Sequence, residues 1–117
     1  MTNYIEPVEE LSNADRNIHR ALNSLKEEIE AIDWYHQRAA ATSEPEIKSV
    51  LIHNLQEEVE HASMILEWLR RNMGNWDKNL RTYLFTTEPI GEIETSEKST
   101  KTEISGDLGI GNLKESL

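Results

Sequence analysis

Apolar residues recur every three to four positions in two consecutive segments of the 117-residue chain. This spacing places them on one face of an α-helix. It predicts one helix from about Asn13 to Ala41 and a second from Pro45 to about Asn72. In the first helix the repeating positions are Ile18, Leu22, Leu25, Ile29, Ile32 and His36. In the second they are Leu51, Leu55, Val59, Ala62, Leu66 and Leu69.

Local signals fix where these helices begin and end. Ser12 or Asn13 can cap the first helix. Pro45 disfavours helical geometry at the residue before it and suits the first turn of a new helix. Gly74 is a stop signal, and a third, shorter helix is expected around 76–85. The predicted fold class is therefore all-α, an antiparallel two-helix hairpin plus a short third helix.

The remaining segments differ in composition from the helical domain, which we place at residues 13–90. Residues 1–12 are expected to form a flexible N-terminal arm. Residues 91–105 are rich in Thr, Ser, Glu and Lys, which is typical of a disordered linker. Residues 106–117 then form a short apolar peptide at the end of this tether.

Composition narrows the possible partners. The formal net charge of −10 argues against nucleic acid and anionic membranes, since both require basic patches. The absence of Cys excludes a thiolate metal site. No signal peptide or long apolar run is seen, so a cytoplasmic location is expected. Two helices alone bury little apolar surface, which favours oligomerisation.

Three polar residues interrupt the apolar stripes at matching heights. Glu28 lies 13 residues before Ala41, and Glu58 lies 12 residues after Glu46. Each distance corresponds to roughly 18–20 Å of helix at about 1.5 Å per residue. The hairpin therefore brings the two carboxylates to nearly the same level, and His61 shares a face with Glu58.

These residues match one half of a di-iron site in a four-helix bundle. Such sites take a Glu from each of two helices and a Glu-x-x-His from each of the other two. A chain with one set completes the site by pairing with a copy of itself. Carboxylates with one imidazole favour iron or manganese over structural zinc. The alternative is a solvated acidic face, because acidic residues are common throughout the chain.

Neighbouring residues have two interpretations each. Glu27 and Glu30 could form an outer acidic funnel for Fe2+, or could be ordinary solvated charges. Tyr35 could hydrogen-bond a ligand or supply an electron, or could pack in the core, and packing is favoured for Trp34. We interpret the remaining acidic and imidazole candidates as surface or packing residues, namely Glu57, Glu60, His19, His36 and His53.

Several segments, in order and at matching spacing, resemble the encapsulated ferritin family over about residues 17 to 90. They are EEIEAIDWYHQR at 27–38, HNLQEEVEH at 53–61, LEWLRRN at 66–72 and LRTYLF at 80–85. The resemblance implies that two chains form a ferritin-like four-helix bundle and that these dimers assemble into a ring, typically a decamer.

The resemblance also assigns roles to residues. It implies that Glu28, Glu58 and His61 are ferroxidase ligands, and that Trp34 and Tyr35 form an aromatic pair beside the centre. Glu27 and Glu30 match acidic residues of a secondary iron-uptake site.

The C-terminal peptide has its own resemblance. Residues 107–114 are similar to the cargo-loading peptide that docks such enzymes inside an encapsulin shell. Three apolar side chains, Leu108, Ile110 and Leu113, could fill small pockets, and the glycines between them let the backbone lie close to a partner. This implies an encapsulin shell protein as partner and a location inside an encapsulin nanocompartment.

The sequence therefore predicts a ferroxidase that oxidises Fe2+ to Fe3+, with O2 as the expected oxidant, at an inter-subunit di-iron site. Iron would then be stored inside the shell. Two alternatives stay open at this stage. One is a non-enzymatic helical adaptor that buffers metal, and the other is a di-iron oxidase that reduces peroxide.

Overall fold

The computed structural model describes residues 4–93, and this part of the chain is helical without strands. A 3₁₀ turn at Val8–Glu10 precedes α1 (Asn13–Ala41), α2 (Pro45–Asn72) and α3 (Trp76–Tyr83). The all-α prediction is confirmed, and α3 ends two residues before the expected Phe85. No helix in the described range combines the length and apolarity that a membrane span requires.

Side-chain caps explain why the hairpin helices begin where they do. Ser12 is extended, and its hydroxyl accepts a hydrogen bond from the backbone N–H of Asp15 at 3.0 Å. At the start of α2, the Glu44 carboxylate accepts the backbone N–H of Ile47 at 2.7 Å. Pro45 occupies the first helical position, where its missing N–H costs nothing. The short connection makes α1 and α2 antiparallel neighbours.

The N-terminal arm, which the sequence predicts to be flexible, is attached to α1 from Tyr4 onward. The Tyr4 ring stacks on His19 with centroids 4.1 Å apart. The Arg16 guanidinium donates hydrogen bonds to the carbonyl oxygen of Val8. These contacts between distant sequence positions account for the ordered 3₁₀ turn.

The chain divides into two compact units at Leu69. In the first unit Ala39 and Leu69 are buried, but many large apolar side chains stay exposed. They are Leu22, Ile29, Trp34, Ile47, Val50, Ile52, Val59, Met64 and Trp68. Extensive exposed apolar surface is typical of a protein–protein contact.

The second unit, described for residues 70–93, contains α3 and its ion pairs. Asp77 pairs with Arg70 and with Arg81, whose Nε lies 2.9 Å from the carboxylate. The hydrogen bond from Arg81, followed by that from Arg70, lowers the pKa of Asp77 below its usual value. Residues 90–93 form a helical turn, although the sequence predicts a linker from residue 91, and Ile93 is buried. The rest of the predicted linker and the docking peptide lie outside the described residues.

Candidate metal centre

The hairpin brings Glu28 of α1 together with Glu58 and His61 of α2. The i, i+3 spacing places Glu58 and His61 on one helical face, and antiparallel packing sets Glu28 opposite them. The Glu28 and Glu58 side chains are only 23% and 24% exposed, whereas His61 is 45% exposed. The carboxylates thus lie towards the helix–helix contact, and the imidazole lies at its margin.

The three side chains converge without forming hydrogen bonds to one another. His61 Nδ1 lies 3.7 Å from Glu28 Oε2 and 3.8 Å from Glu58 Oε2. Both distances exceed hydrogen-bond length, so the attraction is at most electrostatic. One donor atom from each residue can be chosen so that all three lie within 4.8 Å of one another. This spacing suits three ligands around a cation.

One atom of this cluster is left without a partner. Glu28 Oε2 is buried and has no hydrogen-bond partner within residues 4–93. A buried carboxylate oxygen in this state is costly unless a cation or donor meets it. Oxygen donors with a single imidazole suit iron or manganese. The residues present therefore fit a metal ion, and they supply half of a di-iron donor set.

A second group shares His61 with the first. Glu57, Glu60 and His61 also bring their ligand atoms within 4.8 Å, but all three are exposed. Glu57 is additionally paired with His53, whose Nε2 lies 3.3 Å from Oε1. The prediction that Glu57 and Glu60 are solvated does not include this grouping, although their positions four residues and one residue before His61 are a signal for it. Exposed acidic groups of this kind are common without a metal.

The other predicted residues lie around the cluster or outside the described range. Glu27 and Glu30 are exposed on α1 and belong to neither group of converging ligands. Trp34 is 49% exposed. Tyr35 is partly buried, with the Arg38 guanidinium carbon 5.6 Å from its ring centroid. The predicted docking residues lie in the part of the chain that is not described, namely Leu108, Ile110 and Leu113.

Two known proteins are similar to this chain in sequence over most of its length. The chain is 57% identical over 110 residues to a ferritin-like protein of Thermotoga maritima, covering 94% of this chain and 96% of that protein. It is 48% identical over 120 residues to an encapsulated ferritin-like protein of Rhodospirillum rubrum, covering 93% and 86% respectively.

A solved structure matches as well. The crystal structure of protein ne0167 from Nitrosomonas europaea superposes with a TM-score of 0.72 at 53% identity, covering 74% of this chain and 97% of that one. Together with the cluster of Glu and His ligands, these relatives support a ferritin-like, iron-related role. The model of the EncFtn-like family matches residues 3–87, and the chain therefore belongs to that family, as the sequence resemblance predicts.

Proposed function

We propose that the protein is a ferroxidase that oxidises Fe2+ to Fe3+ at the cluster of Glu28, Glu58 and His61. The observation that carries the proposal is the buried Glu28 Oε2, which lies 3.7 Å from His61 Nδ1 and has no hydrogen-bond partner in the described part of the chain. A cation at this place would offset the burial of two carboxylates. It would also explain why polar side chains interrupt the apolar stripes.

A second copy of the chain would complete the site. Three protein donors leave a metal ion incompletely coordinated, and His61 at 45% exposure marks the open side. Trp68 lies two turns further along the same face of α2 and is 38% exposed. Pairing two copies about a two-fold axis would assemble four Glu and two His. Metal binding and association would then be linked.

The residues of the site have separate tasks in this reaction. Glu28 and Glu58 supply negative charge that favours Fe3+ over Fe2+, while His61 supplies a nitrogen donor facing both carboxylates. Two Fe2+ ions give one electron each to O2, which takes up two protons and leaves as hydrogen peroxide. In this proposal the exposed Glu27 and Glu30 attract Fe2+, with Trp34 beside them. Tyr35 acts next to the centre as a hydrogen-bond or electron donor.

The remaining parts of the proposal concern assembly and location. The R. rubrum relative is named as an encapsulated ferritin-like protein, which supports a comparable setting for this chain. We accordingly propose a ring of dimers, with ten subunits as the expected size, inside an encapsulin nanocompartment in the cytoplasm. The peptide carrying Leu108, Ile110 and Leu113 would dock on the shell, and Fe3+ would be stored there.

The direct test is aerobic Fe2+ oxidation, followed by the rise of ferric absorbance. The wild type is compared with Glu58→Ala and with Glu46→Ala, an exposed carboxylate on the same helix roughly 18 Å away. We expect rapid oxidation by the wild type and by Glu46→Ala, and the buffer rate with Glu58→Ala. Buffer-like rates in all three would contradict the ferroxidase and favour the adaptor. Oxidation with peroxide but not with O2 would identify the peroxide-reducing alternative.

A further inference from the structure

An exposed thioether lies one helical turn from the metal cluster. Met64 is three residues after His61 and is 65% exposed. Glu57, His61, Met64 and Trp68 follow the i, i+4, i+7, i+11 spacing of a single helical face. The sulfur of Met64 is therefore displayed on the same side of α2 as the imidazole.

The other described methionine is in a different situation. Met73 is partly buried, and its Sδ accepts the indole N–H of Trp76 at 3.3 Å. Partial burial and this hydrogen bond limit the access of an oxidant to the Met73 sulfur. Because susceptibility to oxidation follows exposure, the two residues should differ in rate and provide an internal comparison.

We propose that Met64 is a site of oxidation by hydrogen peroxide and that its sulfoxide opposes pairing of the chains. A lone pair of the Met64 sulfur attacks one peroxide oxygen. The S–O bond forms as the O–O bond breaks, and the second oxygen leaves with both protons as water. The sulfur is oxidised by two electrons and the peroxide is reduced to water. Fe2+ oxidation at paired sites would release this peroxide, which then reaches the Met64 sulfur in unpaired chains, where the residue is 65% exposed.

The effect on pairing follows from the change in polarity. Sulfoxidation converts a flexible apolar side chain into a polar one and disrupts apolar interfaces. Met64 lies between His61 and Trp68 on the face that the proposed function assigns to the partner chain, and the inference rests on that assignment. Each two-fold pair would contain two Met64 residues, so oxidation alters the interface twice. Assembly would thereby become sensitive to accumulated peroxide.

The first test measures where peroxide reacts. Full-length, metal-free protein is treated with hydrogen peroxide in the presence of a chelator, and the mass increase of each methionine peptide is followed with time. We expect Met64 to gain one oxygen several-fold faster than Met73. Equal rates, or faster oxidation of Met73, would overturn the proposal.

The second test measures association after the peroxide has been removed. Sedimentation velocity is recorded with Fe2+ under anaerobic conditions for oxidised wild type, Met64→Leu treated identically, and untreated Met64→Gln. We expect sulfoxidation or Met64→Gln to raise the dissociation constant of the pair by roughly tenfold or more, and Met64→Leu to be resistant. If oxidised wild type and Met64→Gln associate as tightly as untreated wild type while Glu58→Ala fails to associate, this inference is refuted and the proposed function is not. Normal association of Glu58→Ala would instead refute the shared site of the proposed function.

Discussion

Replacing Glu28 by Met should stabilise the metal-free chain, although it destroys the candidate site. The side chains are similar in length, and Met removes the carboxylate oxygen that is buried without a partner. An unsatisfied buried polar group costs about 1–3 kcal/mol. We take the lower end, about 1 kcal/mol, because only one of the two oxygens is affected. For a domain of this size that corresponds to a rise in Tm of about 4–8 °C.

Thermal unfolding followed by circular dichroism, with a chelator present, measures this gain. The control is Glu27→Met, which removes the same charge from an exposed neighbouring position. Any general benefit of reducing the negative charge of the chain therefore cancels between the two variants. Chain concentration must be equal in all samples, since association also raises the Tm.

Adding Fe2+ anaerobically should reverse the order of stability. A ligand at 100 times its dissociation constant stabilises the folded state by about 2.7 kcal/mol. The wild type and Glu27→Met should gain this stability once Fe2+ is saturating, because Glu27 attracts the ion but is not one of the converging ligands, and Glu28→Met should not. If Glu28→Met were less stable than Glu27→Met without metal, the carboxylate would already be satisfied in the metal-free protein. The burial of Glu28 Oε2 would then give no physical reason for a metal ion at this place.

Three further predictions concern the scaffold and are tested by chemical unfolding. Leu69 is fully buried, so Leu69→Ala should cost about 2–5 kcal/mol, whereas the exposed Val59→Ala should cost much less. Ser12→Ala should cost about 0.5–2 kcal/mol through loss of the α1 cap, and Ser12→Thr should retain most of the stability. The pKa of Asp77 is lowered in the folded state. The contribution of its ion pairs to the free energy of unfolding is therefore present above the ordinary pKa of 3.8 and is lost as pH falls through the folded pKa. Asp77→Asn should lack that part of the loss of stability in acid. If the free energy of unfolding had the same pH dependence in the variant and the wild type, the ion pairs of Asp77 would contribute nothing.

The helices were predictable because their boundary signals are local. Ser12 and Pro45 act within one turn of the helix ends, so the sequence alone locates α1 and the start of α2 correctly. Glu28 and Glu58 could be brought to one level by counting residues from the turn, because the rise of a helix is fixed. The structure does place them beside His61.

Features that depend on specific side-chain placement were not predictable. The attachment of the arm requires Tyr4 to meet His19, and no periodicity encodes that contact. The second grouping around His61 depends on which way exposed carboxylates turn. The helical turn at 90–93 directly follows Pro89 and contains Gly91, although both residue types normally indicate a break, and Ile93 is nevertheless buried. The isolation of Glu28 Oε2 likewise depends on the positions of all its neighbours.

The central claim is that metal binds at a site completed by a second chain. Sedimentation velocity during anaerobic titration with Fe2+, at a chain concentration where the metal-free protein is least associated, tests it most directly. We predict that bound metal and association rise together and saturate at one Fe2+ per chain, and that Glu58→Ala and His61→Ala show neither. Tight binding of Fe2+ to a single chain without a change in mass would contradict the account.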